Sequence, residues 1–213
     1  MPSRQNRIPR ASIERLSVYL QVLENLRRDG VEIISSEPLA NACRINASQI
    51  RKDLTYFGEF GVRGVGYNVN GLIDSITESL GVNKVWNCVL VGVGNMGRAL
   101  LNHQEFTQRR FNIVGAFDCD PFLIGEEISG HEIVCTRRLK ECISDKDVRL
   151  GIVSTPPERA QRAANYLVEA GIKGILNFAP ARLFVPDGVQ VEYVDFLQHL
   201  YSIAFHLSSA DES

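Results

Sequence analysis

Apolar side chains recur at three- and four-residue spacing near the start of the chain, at Ile13, Leu16, Leu20, Leu23 and Leu26. That spacing predicts an amphipathic helix over residues 13–26, with Ser12 as its N-cap. Ser36, Glu37 and Pro38 then open a short second helix, because proline suits a first turn and serine can cap it. Leu39, Ala40 and Ala42 give that helix a core face. Asn46 caps a third helix over residues 47–57, which carries Ile50, Leu54 and Phe57 inward and leaves Ser48, Gln49, Arg51, Lys52 and Thr55 outside. Three short helices with tight connections follow the helix-turn-helix plan. Residues 58–67 (GEFGVRGVGY) hold four glycines within nine positions, too many for a helix, and predict a tight loop or β-wing. Asn70 is read as the cap of a further helix with Leu72, Ile73, Ile76 and Leu80 on one face, ending at Gly81. The pattern then changes, and a domain boundary is expected near residue 82.

Beyond it the period alternates between two and 3.6. VWNCVLV (85–91) reads as a buried strand, FNIVGAF (111–117) as a second and residues 148–153 as a third. A helix follows over residues 157–169 with Ala160, Ala163, Ala164 and Leu167 inward, and then a strand over residues 174–178. The alternation predicts an α/β fold, a Rossmann-type doubly wound parallel sheet, over residues 83–193. Residues 194–207 form a helix with Phe196, Leu197, Leu200, Ile203, Ala204 and Leu207 on one face and Tyr201 and Phe205 on another. Two apolar faces require two surfaces; a partner subunit can supply one, and burial within the same domain is the alternative.

Composition narrows the classes. The 213 residues are 45% apolar and 23% charged, as in globular proteins, and no apolar run approaches a membrane span. The start, MPSRQNRIPR, is polar, so a soluble, unexported chain with no membrane partner is expected. Cys43, Cys88, Cys119, Cys135 and Cys142 are odd in number and scattered, which fits neither a disulfide framework nor a zinc site, and a reducing cytoplasm is the simplest location. The net charge of −2 is uneven: residues 1–70 hold 10 Lys and Arg against 7 Asp and Glu, and residues 71–213 hold 13 against 18. Arg4, Arg7, Arg10, Arg15, Arg51, Lys52 and Arg63 make the first part basic, which suits a polyanion.

The third helix is the first candidate site. A helix enters the major groove with its N-terminal side chains against base edges, which here means Ala47, Ser48 and Gln49. Arg51 and Lys52 can meet guanine edges or phosphates, Gln49 has the amide geometry for adenine, and Arg63 at a glycine-rich tip suits phosphate or minor-groove contact. The competing reading is a three-helix packing domain whose Arg51 and Lys52 are merely solvated.

The second candidate is stronger. GVGNMG (92–97) lies between a strand and a helix, the context a dinucleotide fingerprint requires. Gly92 permits the turn, Gly94 lets backbone approach a pyrophosphate and Gly97 allows close helix–strand packing, with Val93, Asn95 and Met96 between them. Asp118 ends the next strand, 21 residues after Gly97, where an acid accepts from the ribose hydroxyls of NAD and repels the 2′-phosphate of NADP. Thr155 and Pro156, and the run Asn177, Phe178, Ala179 and Pro180, sit just past strand C-termini and are secondary pocket candidates. Either could be only a proline-stiffened loop.

These residues resemble the Rex family of redox-sensing transcriptional repressors over nearly the whole chain. The resemblance rests on IRKDLTYFG (50–58), RGVGY (63–67), residues 92–97, FDCDP (117–121), AGIKGILNFAP (170–180) and VDF (194–196). It implies a homodimer with a winged-helix DNA-binding domain over residues 1–82, an NAD+/NADH-binding Rossmann domain over 83–193 and a terminal helix, 194–213, swapped between subunits. It further implies that the protein binds palindromic operator DNA when NADH is low and is released by NADH. Tyr56, Gly64 and Tyr67 join the DNA-binding set through the matched runs, and Asp195 and Phe196 would reach the partner's nicotinamide region. Some members have a tyrosine where this chain has His103 and an arginine where it has Gln21; those side chains are proposed to exchange contacts with the terminal aspartate, and His103 can hydrogen-bond in the tyrosine's place.

Two rival classes remain. An NAD-dependent oxidoreductase needs an acid or base at the nicotinamide, but none of the four histidines, His103, His131, His199 and His206, has an evident catalytic partner, and the chain is too short for a substrate domain. The expectation is therefore no enzyme and no catalytic residue. A CoA-binding Rossmann module uses a related glycine turn, and Asp118 favours NAD over it.

Overall fold

The computed structural model describes residues 9–56, 61–62, 66–103 and 105–211, and the chain divides into two units, Met1–Lys84 and Val85–Ser213. In the first unit, α1 (Arg10–Arg28), α2 (Ser36–Cys43), α3 (Ala47–Thr55) and α4 (Val69–Ser79) enclose one core, in which Leu16, Tyr19, Leu23, Leu39, Ile50 and Ile76 have no exposed surface. Three short strands, β1 (Ile33–Ile34), β2 (Gly61–Val62) and β3 (Gly66–Asn68), pair antiparallel in the order β1-β3-β2. Within the glycine-rich run, Gly61–Val62 and Gly66–Asn68 thus pair as a wing. Gly66 is required there: its φ is +113°, and a Cβ would lie 2.8 Å from the Ile34 carbonyl oxygen. Phe57, Arg63 and Gly64 lie outside the described residues.

Three of the expected caps are displaced; α2 begins at Ser36 itself, with Ser35 in the N-cap position. The first helix starts at Arg10 with Pro9 in the N-cap position, so Ser12 is inside the first turn, buried, with its hydroxyl turned to Asp53. The fourth helix is capped by Asn68, whose Oδ1 accepts from the Gly71 amide at 2.8 Å, and Asn70 is exposed within its first turn. Val69 is already a core residue, which draws the helix start forward. Asn46 does cap α3, accepting from the Ser48 amide.

The second unit carries a seven-stranded sheet in the order β10-β9-β8-β4-β5-β7-β6. Its strands are β4 (Trp86–Val91), β5 (Phe111–Asp118), β6 (Glu127–Ile128), β7 (His131–Cys135), β8 (Val148–Val153), β9 (Gly174–Asn177) and β10 (Gln190–Tyr193). Six are parallel; only β6 pairs antiparallel, with β7. Leaving β6 aside, the chain fills one half outward from β4 and then returns to lay β8 on the other side of β4, the doubly wound order of dinucleotide-binding sheets. Helices α5 (Asn95–Leu101), α6 (Glu105–Gln108), α7 (Leu139–Ile143) and α8 (Pro157–Glu169) connect the strands. His131 begins strand β7. The last helix, α9 (Phe196–Asp211), exposes Phe196, Leu197, Leu200, Tyr201, Ile203, Phe205 and Leu207.

Candidate functional site

Strands β4 and β8 pair side by side, and the chain leaves their C-terminal ends in opposite directions, opening a crevice where ligands bind in such sheets. A cleft of about 590 Å³ lies there, lined by Gly92, Gly94, Asp118, Cys119, Thr155, Pro156, Arg159 and neighbouring side chains. Each glycine of the fingerprint has a separate task. Gly92 has φ of +99°, and a Cβ on it would press within 2.8 Å of the Ser154 carbonyl and the Thr155 methyl. Gly97 packs so closely that a Cβ would collide with the Gly92 carbonyl oxygen, which also accepts from Ser154 Oγ at 2.7 Å. Gly94 faces nothing within 4 Å, so its bare backbone borders open space that a ligand can fill.

The carboxylate of Asp118 is only 9% exposed and braces the glycine turn. Its Oδ2 accepts from the Val93 amide at 2.7 Å, and its Oδ1 accepts from Cys119 at 2.7 Å and Asp120 at 3.0 Å. A carboxylate has about four acceptor positions, so roughly one remains for a further donor, fewer than a grip on two ribose hydroxyls needs. Thr155 Oγ1, buried beside the turn, has no partner among the described residues, and a buried hydroxyl without one is costly. An open backbone cradle, an acid at its rim and a hydroxyl awaiting a partner together fit a dinucleotide.

The rest of the cleft is lined by residues that the sequence does not place in a pocket. Cys119, Asp120, Pro121, Leu123 and Ile124 follow β5; Cys135, Thr136 and Arg137 end or follow β7; Arg159, Arg162, Ala163 and Tyr166 form one stripe of α8. Helical spacing of three and four from the first turn of α8 was the available signal. Arg159 donates to Cys119 Sγ at 3.5 Å, and Arg162 lies 5.7 Å from the Tyr166 ring centre.

Other sequence candidates lie elsewhere. Val93 is core within the glycine turn, and Asn95 and Met96 are exposed at the start of α5. Asn177 is fully buried, its Nδ2 donating to the Ala179 and Ala181 carbonyls and its Oδ1 accepting from the Ala179 amide, so it shapes the turn after β9. Ala179 is core, Phe178 is half-buried and Pro180 is exposed. His103 is exposed, edge-on to Phe106. Asp195 is exposed and accepts from the Leu197 amide at the start of α9, next to the exposed Phe196.

In the first unit, α3 presents Ser48, Arg51 and Lys52 to solvent. Arg51 donates to Ser36 Oγ at 2.9 Å, Ala47 and Tyr56 are half-buried, and Tyr67 packs against the core, burial pushing its phenol up in pKa while Arg51 opposes the shift. Gln49 is half-buried and donates to Asp53. Asp53 has no exposed surface; burial alone would raise its pKa, but hydrogen bonds from Arg15, Tyr19, Gln49 and Ser12 hold it down at about 2.

Residues 7–55 match the family described as "Putative DNA-binding protein N-terminus", and residues 83–181 match "CoA binding domain". The redox-sensing transcriptional repressor Rex of Maridesulfovibrio salexigens is 65% identical over 204 residues, covering 96% of this chain and 98% of its own. This chain belongs to the Rex family. Rex of Solidesulfovibrio magneticus is 62% identical, covering 94% of this chain and 91% of its own. A Rex-type solved structure, RSP with β-NAD+ and operator DNA, superposes with a TM-score of 0.90 at 38% identity, covering 96% of this chain and 94% of its own. RSP with β-NADH gives 0.87 at 36% identity, covering 96% of each. As in other Rex chains, the N-terminal unit here is of DNA-binding type and the C-terminal unit is a Rossmann-like parallel sheet. No helix among the described residues is long and apolar enough to cross a membrane.

Proposed function

We propose that this chain is a redox-sensing transcriptional repressor that binds palindromic operator DNA when NADH is scarce and leaves it when NADH binds. One observation carries the reading: the same chain has an exposed basic helix on a winged helix-turn-helix unit and, in a separate unit, an open glycine cradle beside Asp118 and an unpartnered Thr155 hydroxyl. The solved relative holding both NAD+ and operator DNA supports the pairing. In this reading residues 1–82 bind DNA through Ser48, Arg51, Lys52 and the wing, residues 83–193 bind NAD+ or NADH, and residues 194–213 make a homodimer. When bound, NADH supplies the reduced nicotinamide ring whose state is reported. Gly92 and Gly94 bring backbone to its pyrophosphate, Thr155 Oγ1 offers a hydrogen bond, and Asp118 orders the turn and accepts from the ribose. The protein is cytoplasmic in this reading and performs no catalysis. An operator gel shift repeated with NADH and with NAD+ tests both units together; NADH should release the duplex and NAD+ should not.

The CoA-binding reading has one observation in its favour, the match over residues 83–181. Quenching of NADH fluorescence on titration, set against competition by CoA, separates the two.

A further inference from the structure

Asp53 lies in the last turn of α3, yet its contacts run mainly to α1. Oδ1 accepts from Ser12 Oγ at 3.0 Å, Arg15 Nη2 at 2.7 Å and Gln49 Nε2 at 2.9 Å; Oδ2 accepts from Arg15 Nε at 2.6 Å and Tyr19 OH at 2.8 Å. Those five bonds exhaust the carboxylate's acceptor capacity. The only other buried residues of α3 are Ile50 and Leu54. Ile50 and Leu54, with the half-buried Ala47 packed beside them, turn one face of α3 to the core, but apolar packing is non-directional and sets the rotation of a nine-residue helix only coarsely. The bidentate grip of Arg15 is directional.

At about 100° per residue, Ile50, Asp53 and Leu54 share one arc of α3 and Ser48, Arg51, Lys52 and Thr55 share the opposite one. Gln49 falls on the flank beside Asp53, and its amide is committed there. We propose that Asp53 is a positioning residue for DNA reading: held by Ser12, Arg15 and Tyr19 of α1, it fixes the rotation of α3 so that Ser48, Arg51 and Lys52 face the operator and Gln49 does not. Gln49 therefore leaves the base-reading set that its position in the sequence suggested. Buried ion pairs are poor evidence of stability, and the return for this one is geometric specificity.

The inference rests on α3 being the DNA-reading helix, and the test separates the two. The full-length protein is measured against an operator duplex selected from a randomised palindromic library and against a scrambled duplex of equal length, by anisotropy over a range of salt. Arg51→Ala tests the underlying reading and should abolish operator preference; retained preference defeats that reading. Tyr19→Phe removes one hydroxyl from a side chain that has no exposed surface and cannot touch DNA. It should lower the operator-to-scrambled affinity ratio about fivefold to tenfold, with scrambled binding, salt slope and NADH binding unchanged. Ser12→Ala should act in the same direction and stands in should Tyr19→Phe fail to fold. An unchanged ratio in the folded variants overturns the proposal. Gln49→Ala should weaken every single-base operator variant equally, whereas relaxed discrimination at one base pair would restore Gln49 as a reader and overturn it too.

Discussion

At Gly94 the fold requires nothing of the side chain, and at Gly97 it requires none at all. Gly94→Ala should therefore keep the parent melting temperature to within about 2 °C while losing NADH binding, because the methyl enters the open cradle. Gly97→Ala should instead unfold at lower temperature, because its methyl meets the Gly92 carbonyl. Thermal melts paired with NADH fluorescence titrations distinguish the two. Asp118 should favour NADH over NADPH, since its carboxylate opposes a 2′-phosphate at the same rim; equal titration by both dinucleotides would show that bracing Val93 is its whole role. Asp53 carries a pH signature. Its folded pKa is depressed to about 2, so its contribution is present above the unfolded value near 4 and is lost as pH falls through that interval. The difference corresponds to on the order of 2 kcal/mol, and denaturant melts between pH 5 and 2 should show Asp53→Asn with a flatter acid limb than the parent.

The elements differ in how plainly the sequence announced them. Strand β8 and helix α8 coincide with their expected bounds, because an apolar run beside a Pro-opened amphipathic helix leaves little competition. The cradle was equally legible, since its residues are adjacent in sequence. Strands β6, β7 and β10 were not, being short and mixing His131, Glu132, Gln190 and Glu192 with their apolar residues. The lining of the cleft from β5, β7 and α8 was hidden for another reason: those residues converge only once parallel strands are ordered, and strand order has no local signal. The same holds for Ser12, whose partner is 41 positions away and whose local context looked like a helix cap. Helix α9 stood out through its composition, and it makes a prediction at this scale. Removing residues 194–213 should give a monomeric or aggregating chain with weak operator affinity, read by sedimentation and anisotropy. A truncated chain that stayed dimeric and NADH-responsive would place both properties elsewhere.

For the molecule as a whole, two ligands acting on one chain are bound by reciprocity. A factor by which NADH lowers operator affinity must equal the factor by which operator lowers NADH affinity, and a tenfold effect corresponds to about 1.4 kcal/mol. Parallel titrations of NADH with and without saturating operator should return the same factor as operator titrations with and without NADH; unequal factors would mean that the two ligands do not meet on one equilibrium. A dimer reading a palindrome must also hold its recognition helices about 34 to 36 Å apart, a spacing that the proposed dimer would have to keep on the operator. The exposed apolar length of α9 adds a further variable, the concentration of the chain itself. A chain that shields Phe196, Leu200 and Phe205 only against a second copy is assembled by mass action, so its operator occupancy should climb more steeply than first order as the protein accumulates. On the proposed dimer, the cell's dosage of the repressor becomes an input in its own right: below some copy number the operator should stay vacant whatever the state of the nicotinamide pool, and above it the pool should decide.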